Sequence, residues 1–247
     1  MIFLYMYIDT GNYMKSYHNA RRSASITGLA AWCASQGEAA KRDSGFYGPV
    51  CYIVKNVFHV NHKDTIMYDR SALIELIRAK SLKFGDFTLA SGKKATYYLD
   101  CRQITLDSIS AKLIGEGILE LLQQNPLPQA VGGMSIGADP ITAAVITVAA
   151  YQNIPLKGFM VRKQSKGHGT NQFVEGPIVA GDRVVIVEDV VTTGGSSLDA
   201  IEKVEALGVT VNGVIAIIDR LEGGKEMFES KGYVLRSLFT VKDFGIS

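Results

Sequence analysis

Two runs of apolar residues without polar alternation constrain the fold of this chain more than any other feature. They are VVIV (Val184 to Val187) and VIAII (Val214 to Ile218). A strand with one face in water alternates apolar and polar side chains, so these runs are typical of strands covered on both faces. Such strands alternate along the chain with segments of helical spacing. The pattern predicts an α/β fold with an open, mostly parallel sheet flanked by helices.

The predicted elements begin with a helix over residues 69–80, with Asp69 or Ser71 available as its cap. A strand over 96–100 follows. The later predicted helices cover 108–124, 139–152, 197–207 and 225–230, and the later strands cover 129–134, 156–161, 183–188, 211–219 and 234–238. Ligands of open α/β sheets bind at the carboxyl ends of the strands, so the loops after the strands are the candidate site.

Residues 1–66 differ in character from the rest of the chain. They contain three of the 4 histidines and the 1 Trp, without sustained helical or strand periodicity. We therefore predict a poorly ordered N-terminal extension over 1–66 and a folded domain over 67–247. Three interpretations of the extension stay open: a transit segment, a disordered tail, or residues upstream of a true start at Met67.

Composition argues against several classes of protein. The 26 Lys and Arg nearly balance the 24 Asp and Glu, and a net charge of +2 does not produce the long-range field of a dedicated nucleic-acid binder. No apolar stretch approaches the roughly 18 to 20 residues that would span a bilayer. The 3 cysteines lie far apart, which argues against a disulfide framework or a zinc site. We expect a cytoplasmic protein with neither nucleic-acid nor membrane partners.

The segment VVIVEDVVTTGGSS (184–197) is the most informative motif. The turn from Thr192 to Ser196 can present backbone N–H groups and hydroxyls to one phosphate at a helix N-terminus, where the helix dipole also favours negative charge. Glu188 and Asp189 are spaced to accept hydrogen bonds from the two hydroxyls of a ribose. An acidic strand end followed by a capped helix is the structural alternative. Neither a Walker loop nor a dinucleotide fingerprint occurs.

This segment resembles the phosphoribosyl pyrophosphate (PRPP) motif of the type I phosphoribosyltransferases. The resemblance implies their fold, an open, mostly parallel sheet flanked by helices with a small N-terminal hood. It also implies a set of PRPP-binding residues in this motif: Glu188, Asp189, Val190, Val191, Thr192, Thr193, Gly194, Gly195 and Ser196. The motif predicts the sugar donor and leaves the acceptor open.

Two further segments resemble the orotate phosphoribosyltransferases. FGDFTLASGKKATYYLDCR (84–102) resembles their amino-terminal signature, in which an aromatic strand, here with Tyr97 and Tyr98, covers the base. VRKQSKGHGTNQFVEG (161–176) resembles their mobile basic loop, which brings positive charge to the departing pyrophosphate; a solvated hairpin is the alternative. In the family this loop reaches into the neighbouring subunit, which implies a homodimer with shared sites. Its PRPP-binding residues would be Arg162, Lys163, Lys166 and His168.

Arg220 follows the last residue of the predicted strand VIAIID. A guanidinium at this position can bind the carboxylate of orotate through two hydrogen bonds. The resemblance implies that Arg220 and Thr192 contact orotate. An ion pair of Arg220 with Glu222 or Asp219 is the alternative.

The resemblance implies that the chain transfers phosphoribose from PRPP to orotate, as in UMP synthesis, with Mg²⁺ held mainly by PRPP and no direct protein ligand. Lys166, His168 and Asp189 would be catalytic. A backbone loop that holds pyrophosphate would be formed by Gly132, Gly133 and Gly137. A tight strand-to-helix turn without a binding role is the alternative. Some relatives have Lys where this chain has Ala90 and Ile136. Transfer to another base, or a PRPP-sensing regulatory protein, remain alternative functions.

Overall fold

A computed structural model describes residues 68–88, 94–164 and 173–246 of the 247-residue chain. The chain divides after residue 64 into two units, and every described residue belongs to the second, Thr65–Ser247. The prediction of a poorly ordered extension over 1–66 lies outside the described residues, as do Ala90, Lys166 and His168.

The described elements follow the predicted order closely. The helices are α1 (Arg70–Lys80), α2 (Arg102–Thr105), α3 (Ser108–Gln123), α4 (Ala138–Tyr151), α5 (Gly195–Glu205) and α6 (Gly224–Ser230), and a 3₁₀ turn spans Val241–Phe244. The strands are β1 (Leu82–Thr88), β2 (Lys94–Leu99), β3 (Ala130–Met134), β4 (Lys157–Val161), β5 (Val174–Glu175), β6 (Arg183–Val191), β7 (Thr210–Asp219) and β8 (Leu235–Thr240).

Six strands form one sheet in the order β5-β4-β3-β6-β7-β8. The pairs β3-β4, β3-β6, β6-β7 and β7-β8 are parallel, and only the short edge strand β5 is antiparallel to its neighbour. This confirms the predicted open, mostly parallel sheet. Strands β1 and β2 pair antiparallel in a separate two-stranded sheet at the N-terminal side of the domain.

Both faces of the large sheet are buried. In β6, Val185 and Val187 pack into a cluster with residues of α1, α3 and α4, whereas Val184 and Ile186 pack into a second cluster with residues of α5. Successive side chains of a strand point to opposite faces, so the unbroken apolar run reflects helices on both sides. The prediction from VVIV is confirmed.

The differences from the predicted elements are local. Strands β1 and β5 and the single-turn helix α2 were not predicted, and β6 extends beyond the expected end at residue 188 to Val191. Helix α1 is capped by Asp69, whose carboxylate accepts a hydrogen bond of 2.9 Å from the Ala72 N–H. Within the described ranges, no helix is long and apolar enough to cross a membrane.

Candidate active site

Two adjoining cavities lie where β3 and β6 end and their following helices begin. The first, about 130 Å³, is lined by Glu188 and by residues 190–197. The second, about 270 Å³, is lined by residues 134–137, Lys163, Glu188, Asp189, Val190 and Ser196. Because Glu188, Val190 and Ser196 line both cavities, the two form a continuous site at the carboxyl ends of the strands, where ligands of this fold class bind.

The turn before α5 requires a glycine at position 194. Gly194 has a φ of 82°, in the left-handed region, and a Cβ atom there would lie 2.8 Å from Phe228 Cζ. Helix α5 starts at Gly195 without a side-chain cap, and its first main-chain bond is donated by Leu198 to the Gly194 carbonyl. The N–H groups at the start of the helix therefore face the first cavity without intrahelical partners, as an anion site requires.

Glu188 and Asp189 lie at the boundary of the two cavities. Glu188 is buried and accepts a hydrogen bond of 2.9 Å from the Ser197 hydroxyl of α5. Burial, and then the negative charge of Asp189, raise the pKa of Glu188 to about 7, while the Ser197 hydrogen bond acts in the opposite direction. Asp189 Oδ1 accepts a hydrogen bond of 2.8 Å from the Val190 N–H. The carboxylates are thus held in place before any ligand binds.

The loop between β3 and α4 packs against this acid pair. A Cβ atom on Gly137 would lie 3.4 Å from Asp189 Oδ1, and Ser135 Oγ donates a 3.0 Å hydrogen bond to Asp139. The prediction that Gly132 and Gly133 belong to this loop is wrong, because both lie within β3. Side chains there would collide with Phe159 and with the Val187 carbonyl, respectively, so these two glycines allow close strand packing. Gly137 alone of the three lines a cavity.

The basic residues after β4 have different surroundings. Lys163 is exposed and lines the second cavity. Arg162 Nε instead lies 3.2 Å from Glu175 Oε1 on β5, and the Arg162 N–H donates a 2.7 Å hydrogen bond to the Phe173 carbonyl. The structure therefore brings Lys163 to the predicted PRPP site and pairs Arg162 with the edge strand.

Arg220 contacts an aromatic residue that the sequence did not connect to it. Its Nε donates a 2.9 Å hydrogen bond to the Tyr97 hydroxyl, and its guanidinium carbon lies 4.8 Å from the centre of the Tyr97 ring. Its Nη2 also lies 2.8 Å from Glu222 Oε1, so the ion pair with Glu222 is formed. Asp219 is instead buried and accepts a hydrogen bond from the Leu221 N–H.

The two tyrosines of β2 differ in exposure. Tyr97 is 9% exposed beside Arg220, whereas Tyr98 is 40% exposed and lies with its ring centre 5.7 Å from that of Phe87. A main-chain hydrogen bond of 2.9 Å from the Arg220 N–H to the Val191 carbonyl joins the ends of β7 and β6. The predicted orotate-binding arginine is thereby held next to the predicted PRPP loop.

Two residues that shape the acid pair and the glycine turn were absent from the predicted set. The Ser197 hydroxyl is one, although its place directly after the glycine turn is a usable sequence signal. Gly224 is the other, because a Cβ atom there would lie 2.7 Å from the Thr192 carbonyl oxygen. Only the close approach of α6 to the turn reveals that requirement, since the two segments are far apart in sequence.

Comparisons with known proteins agree with this geometry. The family model of the phosphoribosyl transferase domain matches residues 111–237. An orotate phosphoribosyltransferase of Rhodopirellula baltica is 54% identical over 188 residues, covering 74% of this chain and 97% of the relative. One from Aquifex aeolicus is 44% identical over 181 residues, covering 72% of this chain and 98% of the relative.

A solved structure extends the likeness to the fold. The orotate phosphoribosyltransferase of Mycobacterium tuberculosis H37Rv in complex with PRPP is 36% identical, with a TM-score of 0.62 over 72% of this chain and 99% of that one. The parallel sheet, the acid pair and the glycine turn define a type I phosphoribosyltransferase. Within that class, the chain belongs to the orotate phosphoribosyltransferase family. The resemblance found in the sequence is confirmed.

Proposed function

We propose that this chain transfers the 5-phosphoribosyl group from PRPP to orotate, giving orotidine 5′-phosphate and pyrophosphate in UMP synthesis. The observation that carries this proposal is the junction of the two cavities. There, an uncapped helix start and a left-handed glycine turn adjoin two carboxylates at the end of β6.

Each part of PRPP has a matching feature along the site. The 5-phosphate binds the turn from Thr192 to Ser196 in the first cavity, where N–H groups and hydroxyls converge. The ribose hydroxyls donate to Glu188 and Asp189. The pyrophosphate then extends into the second cavity, which Lys163 and Gly137 line. PRPP would therefore extend from the first cavity to the second, with its ribose at the junction.

Orotate binds beside Arg220 and Thr192, next to the reacting ribose carbon. Among the described residues, the Arg220 guanidinium pairs through Nε and one side of Nη2, which leaves Nη1 and the second N–H of Nη2 to bind the orotate carboxylate through two hydrogen bonds. The Tyr97 ring lies against the guanidinium and keeps it in one orientation. A guanidinium fixed in this way loses little conformational entropy when orotate binds.

Displacement of pyrophosphate by a ring nitrogen needs little covalent participation from the protein, because the transition state resembles an oxocarbenium ion. Positioning and charge carry the catalysis. Asp189 fixes the ribose, and Lys163 stabilises the charge on the pyrophosphate. We assign Lys166 and His168 to the same leaving oxygens, with Arg162 as a further contributor to PRPP binding.

Mg²⁺ belongs to this proposal as a metal carried by the substrate. Across the described ranges, no group of three or more His, Cys, Asp or Glu side chains could hold a metal ion. Glu188 and Asp189 are the acidic side chains lining the two cavities, and they fit a metal held mainly by PRPP oxygens. The metal would offset negative charge on the pyrophosphate.

We further propose a cytoplasmic homodimer in which the basic loop of one subunit completes the site of the other. We expect Lys166→Ala and Asp189→Asn each to abolish turnover, and a mixture of the two should recover part of the activity if subunits exchange and share sites. Failure to recover activity after proven exchange would contradict the shared site.

The proposed reaction is tested by mixing the protein with Mg²⁺ and PRPP and adding orotate, uracil or adenine in turn. We expect orotate absorbance to disappear with release of one pyrophosphate per orotate consumed, and no release with the other bases. Pyrophosphate release with uracil or adenine but not with orotate would show that the acceptor is that base and not orotate. If the protein binds PRPP but releases no pyrophosphate with any base, the result would support a PRPP-sensing regulatory protein. A gel shift with nucleic acid would then test that alternative.

A further inference from the structure

We infer that Lys203 is a positioning residue for PRPP binding, because it holds the chain after β4 in the place from which Lys163 reaches the second cavity. The inference rests on the proposed function. Lys203 belongs to none of the binding segments and lines neither cavity, so its role would be exerted through Lys163.

The Lys203 ammonium has three N–H donors, and three acceptor oxygens lie within hydrogen-bond distance of it. It lies 2.8 Å from Asp199 Oδ2, 3.2 Å from the Arg162 carbonyl oxygen and 3.4 Å from the Lys163 carbonyl oxygen. Its side chain is only 15% exposed. A shielded ammonium is tolerated where its hydrogen bonds are made, and two of these bonds fix consecutive carbonyls of one segment.

The same ammonium also contacts the strand on the other side of this segment. It lies 4.8 Å from the centre of the Phe173 ring, and the Phe173 carbonyl accepts the hydrogen bond from the Arg162 N–H. Strands β4 and β5 are paired through Val161 and Val174, just before this point. Lys203 therefore joins both strands at the end of their pairing.

Helix α5 connects this contact to the phosphate turn. The helix begins at Gly195, beside the predicted 5-phosphate site, and Lys203 lies about two turns later on the same helix. One short helix thus carries both the anion-binding N–H groups and the ammonium that holds the Lys163 backbone. Helix α5 consequently sets the distance between the phosphate turn and Lys163. PRPP can contact both only if its 5-phosphate and its pyrophosphate are separated by that distance.

The test is a double-mutant cycle on PRPP affinity, measured by calorimetry with Mg²⁺ and without orotate. Lys203→Met keeps the aliphatic stem and removes all three donors, and should weaken PRPP binding about fivefold, the equivalent of one ordinary hydrogen-bond contribution. Lys163→Ala should weaken it at least as much. If Lys203 acts through Lys163, the double variant should bind PRPP within about twofold of Lys163→Ala alone.

Two controls separate positioning from helix stability. Asp199→Asn removes the ion pair within α5 but leaves the carbonyl contacts, and Lys225→Met removes the exposed pair with Glu229 on α6. Both should bind PRPP like the wild type. Lys203→Arg keeps the charge and donors, and should recover most of the affinity lost in Lys203→Met. If Lys203→Met does not fold, Lys203→Gln enters the cycle in its place.

The outcomes distinguish this inference from the proposed function. Wild-type protein that does not bind PRPP would overturn both. Normal binding by Lys203→Met, or losses that multiply in the double variant, would overturn the role of Lys203 alone. An equal loss in Asp199→Asn would also overturn it, because the effect would then come from the helix ion pair.

Discussion

Ser197, in the first turn of α5, donates a 2.9 Å hydrogen bond to Glu188 near the end of β6. This bond joins the helix that we propose binds the 5-phosphate with a carboxylate that we propose binds the ribose. The two binding elements are therefore aligned without ligand, which reduces the ordering that PRPP must impose when it binds.

The raised pKa of Glu188 predicts a pH dependence of PRPP binding. Its pKa is about 7, so the carboxyl is largely protonated below that pH and becomes the charged acceptor above it. PRPP affinity should increase as the pH rises through this value. Calorimetric titrations from about pH 5.5 to about pH 8.5 would measure the change.

Glu188→Gln is the control for that experiment, because PRPP phosphates also titrate. The variant should bind weakly at every pH and lose the part of the rise that comes from Glu188. Asp189→Asn should move the rise to lower pH, since the Asp189 charge helps to raise the pKa. An unchanged rise in Glu188→Gln would show that ionisation of this carboxyl has no part in binding.

The left-handed turn predicts a strong difference between two adjacent glycines. Gly194→Ala places a Cβ atom against Phe228 at a φ of 82°, and should lower the free energy of unfolding by about 1 to 3 kcal/mol. A Cβ atom on Gly195 meets nothing within 4 Å, so Gly195→Ala should be neutral or slightly stabilising. Urea unfolding of the unliganded variants would measure both values, and equal losses would contradict the structure of the turn.

The contact between Tyr97 and Arg220 predicts a selective effect on orotate. Tyr97→Phe keeps the ring against the guanidinium but removes the oxygen that accepts from Nε. The KM for orotate should rise about threefold to tenfold, with little change for PRPP. Tyr98→Phe, at the more exposed neighbour, is the matched control. A similar rise for both substrates would mean that Tyr97 supports the fold rather than the orientation of Arg220.

The position of Ile136 predicts that a positive charge introduced there would strengthen PRPP binding. This side chain is 79% exposed in the loop that lines the second cavity, near the predicted position of pyrophosphate. Ile136→Lys should tighten PRPP binding about fivefold at low salt, and the gain should shrink as salt increases. Ile109→Lys adds the same charge at a 60% exposed position on α3 that lines neither cavity. Equal gains in both variants would indicate a general charge effect.

Local sequence patterns predicted the parts of the site that are formed by neighbouring residues. The apolar run, the acids and the glycine turn all follow one another within β6 and the start of α5. The sequence predicts that β6 ends at residue 188, because two acids are typical of a strand end, whereas the strand continues to Val191. Pairing of Glu188 with Ala216 and of Val191 with Asp219 on β7 extends the strand through them.

Contacts between distant segments could not be predicted in this way. Tyr97 and Arg220 are 123 positions apart, and Lys203 and Arg162 are 41 positions apart. Strand β1 contains Gly85 and an exposed Phe84, and pairs with β2 through an irregular register. Its strand conformation depends on that partner rather than on its own periodicity, as does the two-residue β5.

A crystal structure of the protein with PRPP and Mg²⁺ tests the central claim most directly. It should place the 5-phosphate against the N–H groups of the turn from Thr192 to Ser196, with the ribose hydroxyls bonded to Glu188 and Asp189 and the pyrophosphate toward Lys163. A bound PRPP whose phosphate lies away from this turn, or whose ribose does not contact the two carboxylates, would contradict the account.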